Sequence, residues 1–209
     1  MRKNMEMEND LKKKVVDFWN YFFLIEEKLT ETEIDEKILD ELDSRVLALG
    51  EFTWEIGPGK VKEYSFVISP AGNKELLTVS REIIESAPEN SKWEFYPAVQ
   101  IKDWDFFFSF YSMNGDKIEL DASGWEYVLL EYPDHTFEII LKAENLVGFS
   151  EDDKIIASEI VLDGAIGEEV RIDKISYIEV VDVFESEYLK KASSIRNIEK
   201  HSRKIGLIS

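Results

Sequence analysis

Apolar residues recur at helical spacing through the first fifty positions. Leu11, Val15, Phe18, Phe22, Ile25 and Leu29 follow steps of three and four, which predicts a helix over residues 8–29 with one buried face. Trp19, Tyr21 and Phe23 widen that face. Ile34, Ile38, Leu42, Val46 and Leu49 draw a second line, predicting a helix over 33–49. Thr30 with Glu33 resembles a capping box for it, and Gly50 supplies a stop. The two helices form a hairpin or lie side by side on a sheet.

From Phe52 onward the period changes. Residues 52–56 and 61–69 read as antiparallel strands joined across Gly57-Pro58-Gly59. Pro70-Ala71-Gly72 breaks the second strand, and Asn73 can cap a helix running to about Ala87, with Leu76, Leu77, Ile83 and Ile84 buried. A long β region follows. Residues 93–100 form one strand, with Pro97 marking an edge or bulge. Trp104, Phe106, Phe108 and Phe110 alternate with Asp105, Phe107, Ser109 and Tyr111, so the next strand has one apolar and one mixed face. Asn114-Gly115 turns it into a strand over 117–122, and 125–132 with 136–142 make another hairpin. Ser150 can cap a helix from Glu151 to Gly164 or Gly167, and 176–184 is the last strand.

The expected fold class is therefore α+β: a largely antiparallel, curved sheet of about six to eight strands, with an N-terminal helical hairpin and two further helices packed on it. Residues 1–187 are expected as one domain, with a helical layer over 1–50 and the sheet with its helices over 51–187. The segment 188–209 loses the strand pattern and is expected as a basic tail, folded back as a helix or mobile.

Composition narrows the possible chemistry. Hydrophobic residues make up 44% of the 209, enough for a sizeable core. Cysteine is absent, which excludes disulfides, thiolate metal sites and a thiol nucleophile, and fits a reducing compartment. No run approaches the roughly 18 apolar residues of a membrane span. The apolar stretch 18–25 is broken by Asn20, and no small-residue cleavage site follows it, so no signal peptide is expected. A cytoplasmic location is expected. Net charge is −19. Residues 190–209 carry six Lys or Arg and one acidic residue, a net of +5, which leaves −24 on the rest. Such a surface repels nucleic acid and anionic membranes and attracts a basic protein partner.

Phosphate-binding and dinucleotide glycine loops, paired zinc histidines and the nucleophile elbow are all missing. The two histidines, His135 and His201, fall in a predicted hairpin turn and in the basic tail. No metal site and no cofactor is expected. Candidate binding residues come from composition and turns. Trp54-Glu55-Ile56-Gly57-Pro58-Gly59 reads as a ligand-contacting turn or as a hairpin anchored by Trp54. Asp163, Glu168 and Glu169 flank two glycines and could meet a cation or a basic partner, or simply end a helix. Trp54, Trp93, Trp104 and Trp125 stand near strand starts, where they could line a groove or fill the core; Trp19 falls in the first helix. Asp103, Asp105, Glu119 and Asp121 fall on neighbouring strands, suited to acid–base work or to the wet face of a sheet.

The strings Trp54 to Gly59, Ser69 to Leu76, Ala87-Pro88 with Trp93-Glu94-Phe95, and Leu162 to Glu168 together resemble a family of uncharacterised bacterial proteins. The likeness covers roughly residues 40–185. It implies a bacterial cytosolic origin and a recurring design, and it brings no catalytic residue. The functional expectation is a non-enzymatic interaction protein of the immunity or inhibitor kind. The alternatives are a carboxylate-dependent, metal-assisted hydrolase and a small-molecule or peptide-binding module.

Overall fold

The computed structural model describes residues 2–208, with side chains from residue 9 onward. The protein is α+β, and its backbone divides into two compact units that meet in sequence between Ala98 and Val99.

In the first unit, α1 (Arg2–Ile25) and α2 (Glu36–Leu49) are joined through a 3-10 turn at Lys28–Thr30. The α2 cap is Asp35, whose carboxylate accepts the Lys37 N–H; Thr30 instead donates its hydroxyl to the Glu27 carbonyl. The expected Thr30–Glu33 capping box is thus replaced by an Asp cap five residues later. Strands β1 (Thr53–Pro58) and β2 (Tyr64–Ser69) are antiparallel, and β3 (Trp93–Tyr96) joins β2 in parallel. The crossover between β2 and β3 is α3 (Lys74–Glu85), capped as expected by Asn73.

Aromatic rings dominate this core. Phe22 meets Phe66 at 4.9 Å and Trp93 at 5.2 Å between ring centroids. Leu42 and Val46 of α2 seal the same cluster. Trp19 packs there too and donates its indole N–H to the Ile83 carbonyl at the end of α3. Full burial of each such side chain contributes roughly 1.5–3 kcal/mol.

The second unit opens with the two-stranded sheet β4 (Phe107–Tyr111) and β5 (Lys117–Asp121). A four-stranded sheet follows in the order β8-β7-β6-β9. It is built from β6 (Glu126–Glu131), β7 (Phe137–Lys142), β8 (Ile175–Val181) and β9 (Ser193–Ser194). β7 and β8 are parallel, and their crossover runs through α4 (Glu151–Ile166) and α5 (Glu168–Lys174). Last comes α6 (Ile198–Lys204).

The described strands fall into three sheets, and they make no continuous meander, because α3 and the α4–α5 pair each return the chain parallel to an earlier strand. Hydrophobic alternation registers a strand but not the direction of its neighbour. β4 also starts later than the alternation suggests: Phe106 has a φ of 68°, which breaks the strand and leaves Trp104 outside it. The basic segment near the end is an integral layer of this unit. β9 pairs with β6, and Ile195, Ile198 and Ile208 are buried in the cluster around Trp125, Tyr127 and Leu162.

Candidate functional site

The last turns of helix α4, residues 161–166, are buried on every side, and they carry Asp163 into the interior. The chain turns at Gly167, and α5 begins with the fully buried Glu168. One α5 turn later, Arg171 reaches back. Its Nε donates to Asp163 Oδ1, its Nη2 to Asp163 Oδ2 at 3.1 Å and its Nη1 to Glu159 Oε1 at 2.8 Å. Burial pushes the Asp163 carboxyl up to about 7, with Arg171 pulling in the opposite direction. Arg171 is itself raised: burial works against its charge, and the hydrogen bond and charge of Asp163 outweigh that.

Glu168 faces another partner. It accepts the Val99 N–H at 2.8 Å, while its own N–H donates to the Val99 carbonyl at 2.9 Å. The Lys102 N–H donates to the Gly164 carbonyl at 2.8 Å. Trp104 completes this clasp. A Cβ on Gly164 would stand 2.6 Å from its Cζ2, so only glycine lets the indole lie so close to α4. The Leu162-to-Glu169 string therefore grips segment 99–104. Asp163 and Glu168 both point to internal partners, an arginine and a backbone amide.

Trp104 also lines a cleft of about 220 Å³ with Lys102, Asp103, Phe106, Arg196 and Glu199 among its walls. Its indole N–H is buried without an acceptor among the described residues. Trp125 is core: its N–H donates to Asn145, whose amide in turn holds the Asp121 carbonyl.

In the first unit, Trp93 is fully buried. Trp54 is half-buried, stacks on Phe66 and donates to Asp43 at 3.1 Å. Glu55 lies beside it on β1, opposite Val67. Gly57 and Pro58 are not the expected turn but the end of β1, opposite Ser65 and Tyr64; the turn follows from Gly59 and is held by a residue from another strand. Glu94 accepts the N–H groups of Lys60, Val61 and Lys62 at 2.6–2.9 Å and the Tyr96 hydroxyl at 2.9 Å. Desolvation opposes its charge, but these donors outweigh it and bring Glu94 down to about 2. Tyr96 is pushed up to about 12, by burial first and by Glu94 second. Gly59 packs against the Lys62 carbonyl, where a side chain would collide.

The most open chemistry lies on the outer face of β4–β5. Phe106, Phe110 and Leu120 point into the core. Phe107, Ser109 and Tyr111 point out, opposite Asp121, Glu119 and Lys117. Phe107 is 54% exposed, Tyr111 69% and Met113 65%. Asp103, Asp105 and Asp116 are exposed in the flanking segments. The four carboxylates Asp103, Asp105, Glu119 and Asp121 thus share open surface; Asp105 caps the Phe107 N–H, and Asp121 accepts from Ser123. Among the described residues, no three carboxylates or imidazoles converge as metal ligands would. No helix among them is long and apolar enough to cross a membrane.

The seven candidate residues are divided between the two units. Trp54, Glu55 and Trp93 belong to the first unit and the other four to the second, where only Trp104, Asp163 and Glu168 share one structure, the clasp. Arg171 carries no sequence signal, and Glu94 falls in a quoted string that gives no hint of its role, because each partners groups far from it in sequence or across a turn. Comparison with family models, curated proteins and solved structures gave no match.

Proposed function

We propose that this is a non-enzymatic interaction protein that binds a basic protein partner, as immunity and inhibitor proteins do. The observation that carries this reading is the outer face of β4–β5, where exposed Phe107 and Tyr111 stand with Glu119 and Asp121, and Asp105, Met113 and Asp116 are exposed in the flanking segments, with Lys117 the one cation on these strands. Aromatic rings with carboxylates between them suit lysine and arginine side chains, whose stems cover the rings and whose charges meet the acids. The net charge of −19 draws a cationic partner from a distance.

Capture on the immobilised protein tests this reading. A defined basic protein should be retained at low salt, released progressively toward about 0.3 M salt, and lost when Asp105, Glu119 and Asp121 are together changed to Lys. Recovery of no basic partner from the native host, or equal recovery on the charge-reversed variant, would count against it.

A further inference from the structure

The alternation of hydrogen bonds along β4 can be read from its two ends. The Ala122 N–H donates to the Phe106 carbonyl, and the Ser112 N–H donates to the Asp116 carbonyl, each at 2.9 Å. In the observed register these are paired positions at either end of the β4–β5 ladder. The even-numbered residues of β4 therefore bond to β5, and the backbone groups of Phe107, Ser109 and Tyr111 point to the opposite side. No described strand pairs there. The Phe107 N–H is satisfied by Asp105 and the Met113 N–H by Asp153 of α4, which leaves Ser109 and Tyr111 between them to present donors and acceptors at the edge.

The two edges of this small sheet differ. β5 exposes Lys117, Glu119 and Asp121, and its Asp121 carbonyl is held by Asn145. β4 reads Phe107-Phe108-Ser109-Phe110-Tyr111, with no charge and no proline. Natural sheets guard such edges with charges, prolines or bulges, since an unguarded apolar edge is a template for another strand. We infer that the β4 edge accepts an extended, cationic segment of the partner as a third strand of the β4–β5 sheet. The inference rests on the binding role proposed above and adds its geometry. Main-chain bonds to Ser109 and Tyr111 give the affinity, and alternate side chains of the incoming strand lie over Phe107 and Tyr111. Lys and Arg are selected because their long stems, laid across Phe107 and Ser109, reach Asp121 and Glu119 on β5, about 10 Å from the incoming strand, while Asp105 stands at the start of β4. These carboxylates also disfavour a second copy of this acidic chain.

Selection from a random-peptide display library against the full protein tests the proposal. Enriched peptides should alternate Lys or Arg with β-branched residues. Ser109→Pro removes an outward N–H without touching a ladder bond, and Ser109→Ala is its control. Tyr111→Lys guards the edge through an exposed side chain and keeps the test valid if the proline variant does not fold. Both Ser109→Pro and Tyr111→Lys should weaken the selected peptides by about tenfold or more, Ser109→Ala by less than about twofold. Hydrogen exchange at the Ser109 and Tyr111 amides should slow when peptide binds. Basic peptides that bind both variants equally and leave those amides exchanging would overturn strand addition while sparing the binding role. Failure to enrich any basic peptide, together with failure to capture any basic protein, would overturn both. A wild-type dimer in sedimentation that Ser109→Pro abolishes would put a second copy on the edge in place of the partner.

Discussion

Val99 and Glu168 hold one another twice: the Val99 N–H donates to the Glu168 carboxylate at 2.8 Å, and the Glu168 N–H donates to the Val99 carbonyl at 2.9 Å. This reciprocal pair fixes the first residue of the second unit to the start of α5. Glu168→Ala should leave the Val99 N–H without its acceptor and cost about 1–3 kcal/mol. Glu168→Gln keeps an acceptor oxygen and should cost less. Urea unfolding of both variants measures the difference.

Arg171 neutralises carboxylates that are removed from water. Arg171→Ala should cost about 3–5 kcal/mol where Asp163 is ionised, and less at acidic pH, where Asp163 holds a proton. The double variant Asp163→Asn with Arg171→Met removes both charges and should be more stable than Arg171→Ala alone. Calorimetric melting of the two at one pH tests the order.

Asp163 also shapes the pH dependence of folding. Its folded value, about 7, lies above the ordinary 3.8. Between those values the folded state holds the extra proton, so this group's contribution to stability falls as pH rises from about 4 to about 7. Asp163→Asn should flatten that slope. Glu94 acts in the opposite sense: it is depressed from 4.5 to about 2, so the stability it contributes is present above about 4.5 and is lost as pH falls toward 2. Glu94→Gln should remove that acid limb and loosen the turn at residues 59–62. Denaturation midpoints across pH, together with side-chain carboxyl NMR titration, separate the two groups.

Gly164 sits under the Trp104 indole. Gly164→Ala should push the ring away from α4 and cost about 1–3 kcal/mol. The emission of Trp104 should shift toward the red, and the shift should disappear in a Trp104→Phe background.

Local elements were largely legible in the sequence, and their assembly was not. The 3.6-residue period of Phe18, Phe22 and Ile25 and the cap at Asn73 place helices that the structure contains. Asn114-Gly115 marks the turn between β4 and β5. Parallel pairing of β2 with β3, and of β7 with β8, is not set by alternation: β2 and β7 are buried nearly throughout, and their apolar runs Phe66-Val67-Ile68 and Ile139-Ile140-Leu141 mark burial on both faces without fixing which strand lies beside them or in which direction it runs. The clasp was half legible. Its glycines and acids form a distinctive string, but Arg171 completes it from beyond the corner at Gly167, where helical spacing no longer relates the residues. The short α5 and α6 carry mostly charged residues with one or two apolar anchors, too few for a period to show.

The late position of Ile195, Ile198 and Ile208 has a consequence for synthesis on the ribosome. The buried residues of the first unit's core lie between Val15 and Trp93, so that unit can close as soon as it emerges. The second unit cannot, because its core lacks a layer until the chain has grown by about 110 further residues. At ordinary elongation rates that takes between about 5 and 20 seconds. Within that interval β6, β7 and α4 are made by residue 166, and their apolar faces stand uncovered until residues 195–208 follow, which makes the nascent second unit the part of this protein that most needs a chaperone.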